Sequence, residues 1–162
     1  AILIAISRER PSAVAFGTEL VPEAAALARR NCVKNGVKAK IMEGSWYEPV
    51  EGMKFDLIVS NPPYIDPYDH HLNEGDVRFE PRSALVSGLS GLDDLKLIIG
   101  NAPQYLNDSG HLAVEHGWDQ GFAVRKLFSE AGFTDIGSVR DYGGHERVTY
   151  GIISDGAAAS GR

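Results

Sequence analysis

The run "FDLIVSNPPY", residues 55–64, decides how the rest of the chain is read. Phe55 to Ser60 is short, apolar and partly β-branched, the composition of a buried strand. The strand stops at Asn61-Pro62-Pro63-Tyr64, where two successive prolines remove two backbone donors and lock two φ angles. Such a stop ends a hydrogen-bonded ladder and leaves a rigid turn whose carbonyls, with the Asn61 side chain, can face outward. One reading is a plain proline-rich turn capped by Asn61. The other is a preorganised binding site, and the position of the turn behind a strand favours it, because ligands of parallel α/β sheets bind at the carboxyl ends of the strands.

The flanking sequence supplies that sheet. Residues 1–7, "AILIAIS", suit either a buried strand or a helix, since so short a run does not separate the two periodicities. Strands are expected at Ala13–Thr18 and Val37–Met42. Between them "VPEAAALARRNCVKN", Val21–Asn35, predicts a helix, with Pro22 in the first turn and Gly36 just past the end. Ile65 to Ser90, with many charges, prolines and glycines, predicts a long irregular segment of the kind that is usually functional. Beyond it come a helix at Leu92–Leu106, a turn at "NDSG", a strand at His111–Glu115 and a helix at Gln120–Ala131 closed by Gly132. Thr134–Arg140 and Glu146–Ile153 form a closing pair of strands around "DYGGHE". Alternating strands and helices imply a mostly parallel α/β sheet, and the closing pair implies an antiparallel C-terminal edge. One domain is expected over residues 1–153, with a disordered low-complexity tail at 154–162.

Composition narrows the function. The chain has 162 residues, 43% hydrophobic and 23% charged, enough for one ordinary domain with a real core. Its formal net charge of −6 argues against a partner held mainly through phosphates, and so against nucleic acid as a direct substrate. Cys32 is the only cysteine, which rules out an intrachain disulfide and suits a reducing, cytoplasmic compartment. No apolar run approaches the roughly 20 residues of a membrane span. The chain opens inside an apolar stretch, as if it began within a domain.

The chemistry of the turn follows from its acceptors. Asn61 offers a side-chain carbonyl and Pro62 a backbone carbonyl. Two fixed acceptors are what an NH2 group needs when its nitrogen is to become a nucleophile: they hold both hydrogens, orient the lone pair and stabilise the positive charge that grows on nitrogen. Tyr64 can stack on a planar amide or base. In "GDVRFEP", Arg78 and Glu80 flank Phe79 and either brace the loop as an ion pair or meet the backbone of a substrate. In "EHGW", Glu115 or His116 could act as a general base, but a strand-end pair that packs against and hydrogen-bonds the Asn61–Tyr64 turn is the stronger reading, since a proton that leaves late needs no base. His70 and His71 with Asp69 make a poor metal site, because adjacent histidines on an extended chain point apart.

Taken together, "DLIVSNPPYI", "GDVRFEPRSALVSGLSGLDDL" and "EHGWDQGFAVRKLFSEAGF" resemble the HemK (PrmC) family, S-adenosylmethionine-dependent methyltransferases of the glutamine amide of peptide chain release factors. The resemblance runs to about Ile153. It implies a Rossmann-like methyltransferase sheet with S-adenosylmethionine as cofactor and release factors as protein partners. It further implies that Asn61 contacts both cofactor and substrate amide, with Pro62, Pro63 and Tyr64 completing the pocket. Glu19 matches the family's acid on the ribose hydroxyls, although the residue taken by itself is better explained by a helix-start role before Pro22. Trp46, in "EGSWYEP", matches an aromatic beside the adenine, with a core tryptophan as the alternative. By the same resemblance "AILIAISRER" corresponds to the first helix, so that the family's first strand and glycine-rich loop are missing from this chain and a gap is expected between the strands at 13–18 and 55–60. Two other functions stay open at this point: an amino-methyltransferase of DNA or RNA bases, which would share the same turn, and a truncated domain without cofactor binding or activity.

Overall fold

A computed structural model describes residues 1–64 and 91–153. Arg78, Phe79, Glu80, Asp69, His70, His71 and the tail at 154–162 lie outside the described residues. The chain divides into two compact units, Ala1–Met53 and Lys54 onward.

The first unit begins with helix α1 (Ile2–Glu9), which settles the ambiguous opening run as helical. Strand β1 (Ala15–Glu19) leads into helix α2 (Pro22–Lys34), followed by strand β2 (Ala39–Glu43) and a 3-10 turn at Glu48–Val50. Pro22 sits in the first turn of α2, where its missing N–H costs nothing. Gly36 follows the helix at φ +65°, the left-handed geometry that ends helices and that glycine adopts without strain. β1 and β2 pair in parallel, from Ala15 opposite Ala39 to Glu19 opposite Glu43. The apolar residues fully buried here are few and small: Ala25, Cys32 and Val50.

The second unit holds most of the core. Strand β3 (Phe55–Ser60) ends at the predicted residue. Helix α3 (Asp93–Asn101) stops short of the expected end at Leu106, because Pro103 cannot donate to the preceding turn, and Ala102–Tyr105 tightens to a 3-10 turn. Strand β4 (Leu106–Glu115) then absorbs the "NDSG" stretch expected to be a turn. Its turn chemistry is expressed as a bulge: Ser109 takes φ +58°, and the ladder to β3 jumps from Phe55–Leu106 to Leu57–His111. Asn107 Nδ2 donates to Asp56 Oδ1 at 2.7 Å across the bulge. Helix α4 (Gly121–Glu130) and strands β5 (Phe133–Arg140) and β6 (Glu146–Ile153) complete the unit.

The sheet of this unit runs β3-β4-β6-β5. β3 and β4 are parallel, while β6 is antiparallel to both β4 and β5. The expected antiparallel C-terminal edge is therefore present, with β6, the last described strand, inserted beside β4 and β5 carried outside it. Leu95, Ile98, Ile99, Leu112, Val114, Val124 and Phe128 form the buried core between helices and sheet. Phe128 packs on Phe133 with ring centroids 5.0 Å apart. Among the described residues, β1 bonds only to β2 and β3 only to β4. No described helix is long and apolar enough to cross a membrane.

Candidate functional site

Strand direction brings three segments of the second unit to one edge of its sheet. The carboxyl ends of β3 and β4 lie there, and the antiparallel β6 starts there, so Asn61–Tyr64, Glu115–Gln120 and the hairpin loop at 141–145 converge. Asn61 is exposed, Pro62 is buried, and Pro63 and Tyr64 are half-buried. The turn thus anchors its apolar prolines and presents a polar amide, as a fixed acceptor requires.

Tyr64 is held at both ends. Its hydroxyl donates to Glu115 Oε1 at 3.2 Å, which gives Glu115 the bracing role expected of the strand-end pair. Its carbonyl accepts from Gln120 Nε2 at 3.0 Å. Gly91, at φ +66°, lies so close to the Tyr64 carbonyl that a β-carbon there would collide with its oxygen.

His116 is fully buried and its ring is spoken for on both sides. Nδ1 lies 2.8 Å from the Gly117 carbonyl, which can only accept, so in the neutral ring the proton sits on Nδ1. Nε2 then accepts from the Thr149 hydroxyl at 2.9 Å. Thr149 accepts in turn from Ser138 at 3.1 Å, and Ser138 accepts from Arg125 Nη1 at 3.0 Å. Arg125 also pairs with Glu146, and that hydrogen bond holds the Glu146 carboxyl below its usual range. A histidine so enclosed fixes a corner of the backbone and leaves no nitrogen to take a substrate proton. This four-member relay was not legible beforehand, because its partners come from β5, β6 and α4 and share no sequence spacing.

Glu19 and Trp46 lie in the first unit. Glu19 closes β1, and its Oε1 accepts from the Val21 N–H at 2.9 Å, so the helix-start role is real. Among the described residues its other oxygen has no hydrogen-bond partner, and Glu19 lines a groove of about 300 Å³ with Gly17, Thr18 and Asn31. Trp46 is half-buried and does not belong to the core. It holds φ +43°, a left-handed conformation that costs a bulky side chain about 1–3 kcal/mol. The turn that carries it leaves β2 beside the end of β1, where Gly44 N–H donates to the Glu19 carbonyl at 3.0 Å. Both residues thus stand at the carboxyl ends of parallel strands, although Trp46 does not line the groove.

Residues 1–76 match the family model described as the methyltransferase small domain. Over 93% of its length the chain is 50% identical to the release factor glutamine methyltransferase of Salmonella typhimurium and covers 55% of that protein. It is 49% identical to the enzyme of the same name from Vibrio cholerae, again over 93% of the chain and 54% of the relative. The chain therefore spans about half the length of the curated relatives it matches. Among solved structures, a methyltransferase from Pyrococcus furiosus superposes with a TM-score of 0.67 at 17% identity, over 93% of this chain and 68% of the other. A Thermus thermophilus 16S rRNA methyltransferase solved with AdoMet and guanosine gives 0.61 at 16% identity, over 87% and 32%. At such identities the likeness shows the fold alone, one that this chain shares with both methyltransferases.

Proposed function

We propose that this chain, a relative of the release factor glutamine methyltransferases with half its residues in common, is the catalytic part of an S-adenosylmethionine-dependent protein-glutamine N-methyltransferase acting on peptide chain release factors. The domain would span residues 1–153, and the enzyme would work in the cytoplasm, where release factors act. The observation that carries this reading is the Asn61–Tyr64 turn: an exposed amide beside a buried Pro62 and a half-buried Pro63, at the carboxyl end of a parallel strand.

The residues divide the work by their chemistry. The Asn61 side-chain carbonyl and the Pro62 backbone carbonyl accept the two amide hydrogens of a glutamine. This points the nitrogen lone pair away from both acceptors and stabilises charge that develops on nitrogen. Pro63 keeps the turn from relaxing, and Tyr64 covers the planar amide. Glu19, with one oxygen committed to Val21 and the other without a partner among the described residues, suits a ribose diol, which offers two donors. Trp46 offers a flat apolar surface to an adenine. Bound S-adenosylmethionine would supply an electrophilic sulfonium methyl, and the amide proton would leave to water after the nitrogen–carbon bond forms. Neither Glu115 nor His116 is needed as a base, since one braces Tyr64 and the other is enclosed.

The test is methyl incorporation by the complete gene product into a release factor, compared with DNA and RNA. Asn61→Ala should lower kcat by roughly 10²–10³, as for loss of one preorganised transition-state hydrogen bond. Being exposed, the site should leave the melting temperature almost unmoved. Asn61→Asp keeps the acceptors but sets a negative charge beside the sulfonium, and should retain cofactor binding while positioning the amide poorly. Near-parent kcat in Asn61→Ala, or methyl incorporation into nucleic acid instead of release factor, would overturn the assignment.

A further inference from the structure

We infer that Gln120 is a positioning residue for the Asn61–Tyr64 turn, a role that rests on the amide-binding reading above. Its side chain is clamped before it reaches the turn. Oε1 accepts from the Gly117 N–H at 2.8 Å, and the Gln120 N–H donates back to the Gly117 carbonyl at 3.0 Å. A backbone N–H can only donate, so the oxygen of the amide must face Gly117 and the nitrogen must face the turn. That nitrogen donates to the Tyr64 carbonyl at 3.0 Å and lies 3.5 Å from the carbonyl of Gly91. The same Gly117 carbonyl receives His116 Nδ1, so the buried relay from Arg125 stiffens the base on which Gln120 stands.

The diproline turns this local contact into control of the acceptors. Pro62 and Pro63 have fixed φ, so the stretch between Ser60 and Tyr64 has few ways to move. Its backbone is pinned at one end by the β3 ladder and at the other by Gln120 on the Tyr64 carbonyl, while Glu115 holds only the tip of the Tyr64 side chain. Releasing the Tyr64 carbonyl leaves that end held through the long side chain, so the rigid stretch can shift by a fraction of an ångström and carry the Asn61 and Pro62 acceptors with it. Gln120 never touches the amide in this scheme, yet it sets where the amide's partners stand.

Gln120→Glu is the deciding variant, because it keeps the acceptor for Gly117 and replaces the donor to Tyr64 with a charged oxygen that the Tyr64 and Gly91 carbonyls repel. In the complete gene product with a release factor as methyl acceptor, kcat should fall about ten- to a hundredfold, the range expected when acceptors shift by a fraction of an ångström. KM for the release factor should hardly change. A protonated carboxyl can donate again, so kcat as a fraction of the parent's should recover as pH falls through the titration of the new carboxyl. In the Asn61→Ala background the same substitution should cost much less, since the acceptor it positions has gone. If Asn61→Ala abolishes turnover while Gln120→Glu retains parent kcat, or if the deficit of Gln120→Glu is independent of pH, the positioning role is wrong and the amide site stands. Parent-like turnover in Asn61→Ala would instead remove the amide site, and the positioning role with it.

Discussion

Thr149→Val tests whether the buried relay is as directional as its geometry requires. The substitution is isosteric, so it opens no cavity at a side chain with no solvent exposure. It deletes the hydroxyl that donates to His116 Nε2, at 2.9 Å, and the acceptor of Ser138 at 3.1 Å. Ser138 is half-buried and can turn to water, so its loss is small. His116 Nε2 cannot, and a buried acceptor left without a partner costs about 1–3 kcal/mol. With a urea dependence of about 1–3 kcal/mol per molar, a loss in the middle of that range lowers the unfolding midpoint by about 1 M. Urea unfolding of parent, Thr149→Val and Thr149→Ser gives the comparison. Thr149→Ser keeps the hydroxyl and loses one methyl, about 0.8 kcal/mol of burial. A Val variant as stable as the parent would show that His116 finds another donor, and the assigned tautomer and relay would both fall.

Glu19→Ala should weaken S-adenosylmethionine binding by about 1–3 kcal/mol and also lower the melting temperature through the lost Val21 cap; Glu19→Gln, which can still cap, should show the affinity loss alone in calorimetry. Gly91→Ala forces a β-carbon toward the Tyr64 carbonyl at a left-handed φ, so turnover should fall, with cofactor affinity kept; unchanged kcat would refute the close approach. In the hairpin loop, hydrogen bonds from the His145 backbone, opposed by burial and aided by Arg147, lower the Asp141 pKa. A lowered carboxyl stabilises the fold above its unfolded pKa, and that contribution is lost as pH falls through the folded one. Amide exchange at Gly143 and His145, which both donate to Asp141, should therefore lose protection only below the ordinary carboxylate range.

Where local chemistry and tertiary pairing agreed, the sequence was legible. Phe55–Ser60 and Glu146–Ile153 appear with the expected bounds, and α2 fits between Pro22 and Gly36 because cap and stop signals are local. "NDSG" was misread for a physical reason. Its residues do turn, at Ser109, but β3 pairs on both sides of them and holds the turn inside a strand. The α3 boundary moved because Pro103 outweighs a favourable apolar pattern. In the candidate site, the rigid Asn61–Tyr64 turn with its exposed amide was legible since prolines and an amide announce themselves in four letters. Gln120 was not, because its importance lies in reaching a carbonyl 56 positions away, a contact no local pattern encodes.

The place of β6 in the sheet sets the order in which the molecule can be completed as it is made. β5 leaves the ribosome before β6 but, among the described strands, has no ladder partner until β6 arrives, because β6 separates it from β4. The same late strand brings Thr149, and with it the partner of His116. Everything from β1 to α4 can be translated while the sheet still lacks its far side and His116 lacks its donor. The nascent chain thus carries all of its candidate active-site residues before β6 completes the sheet and the buried relay behind them.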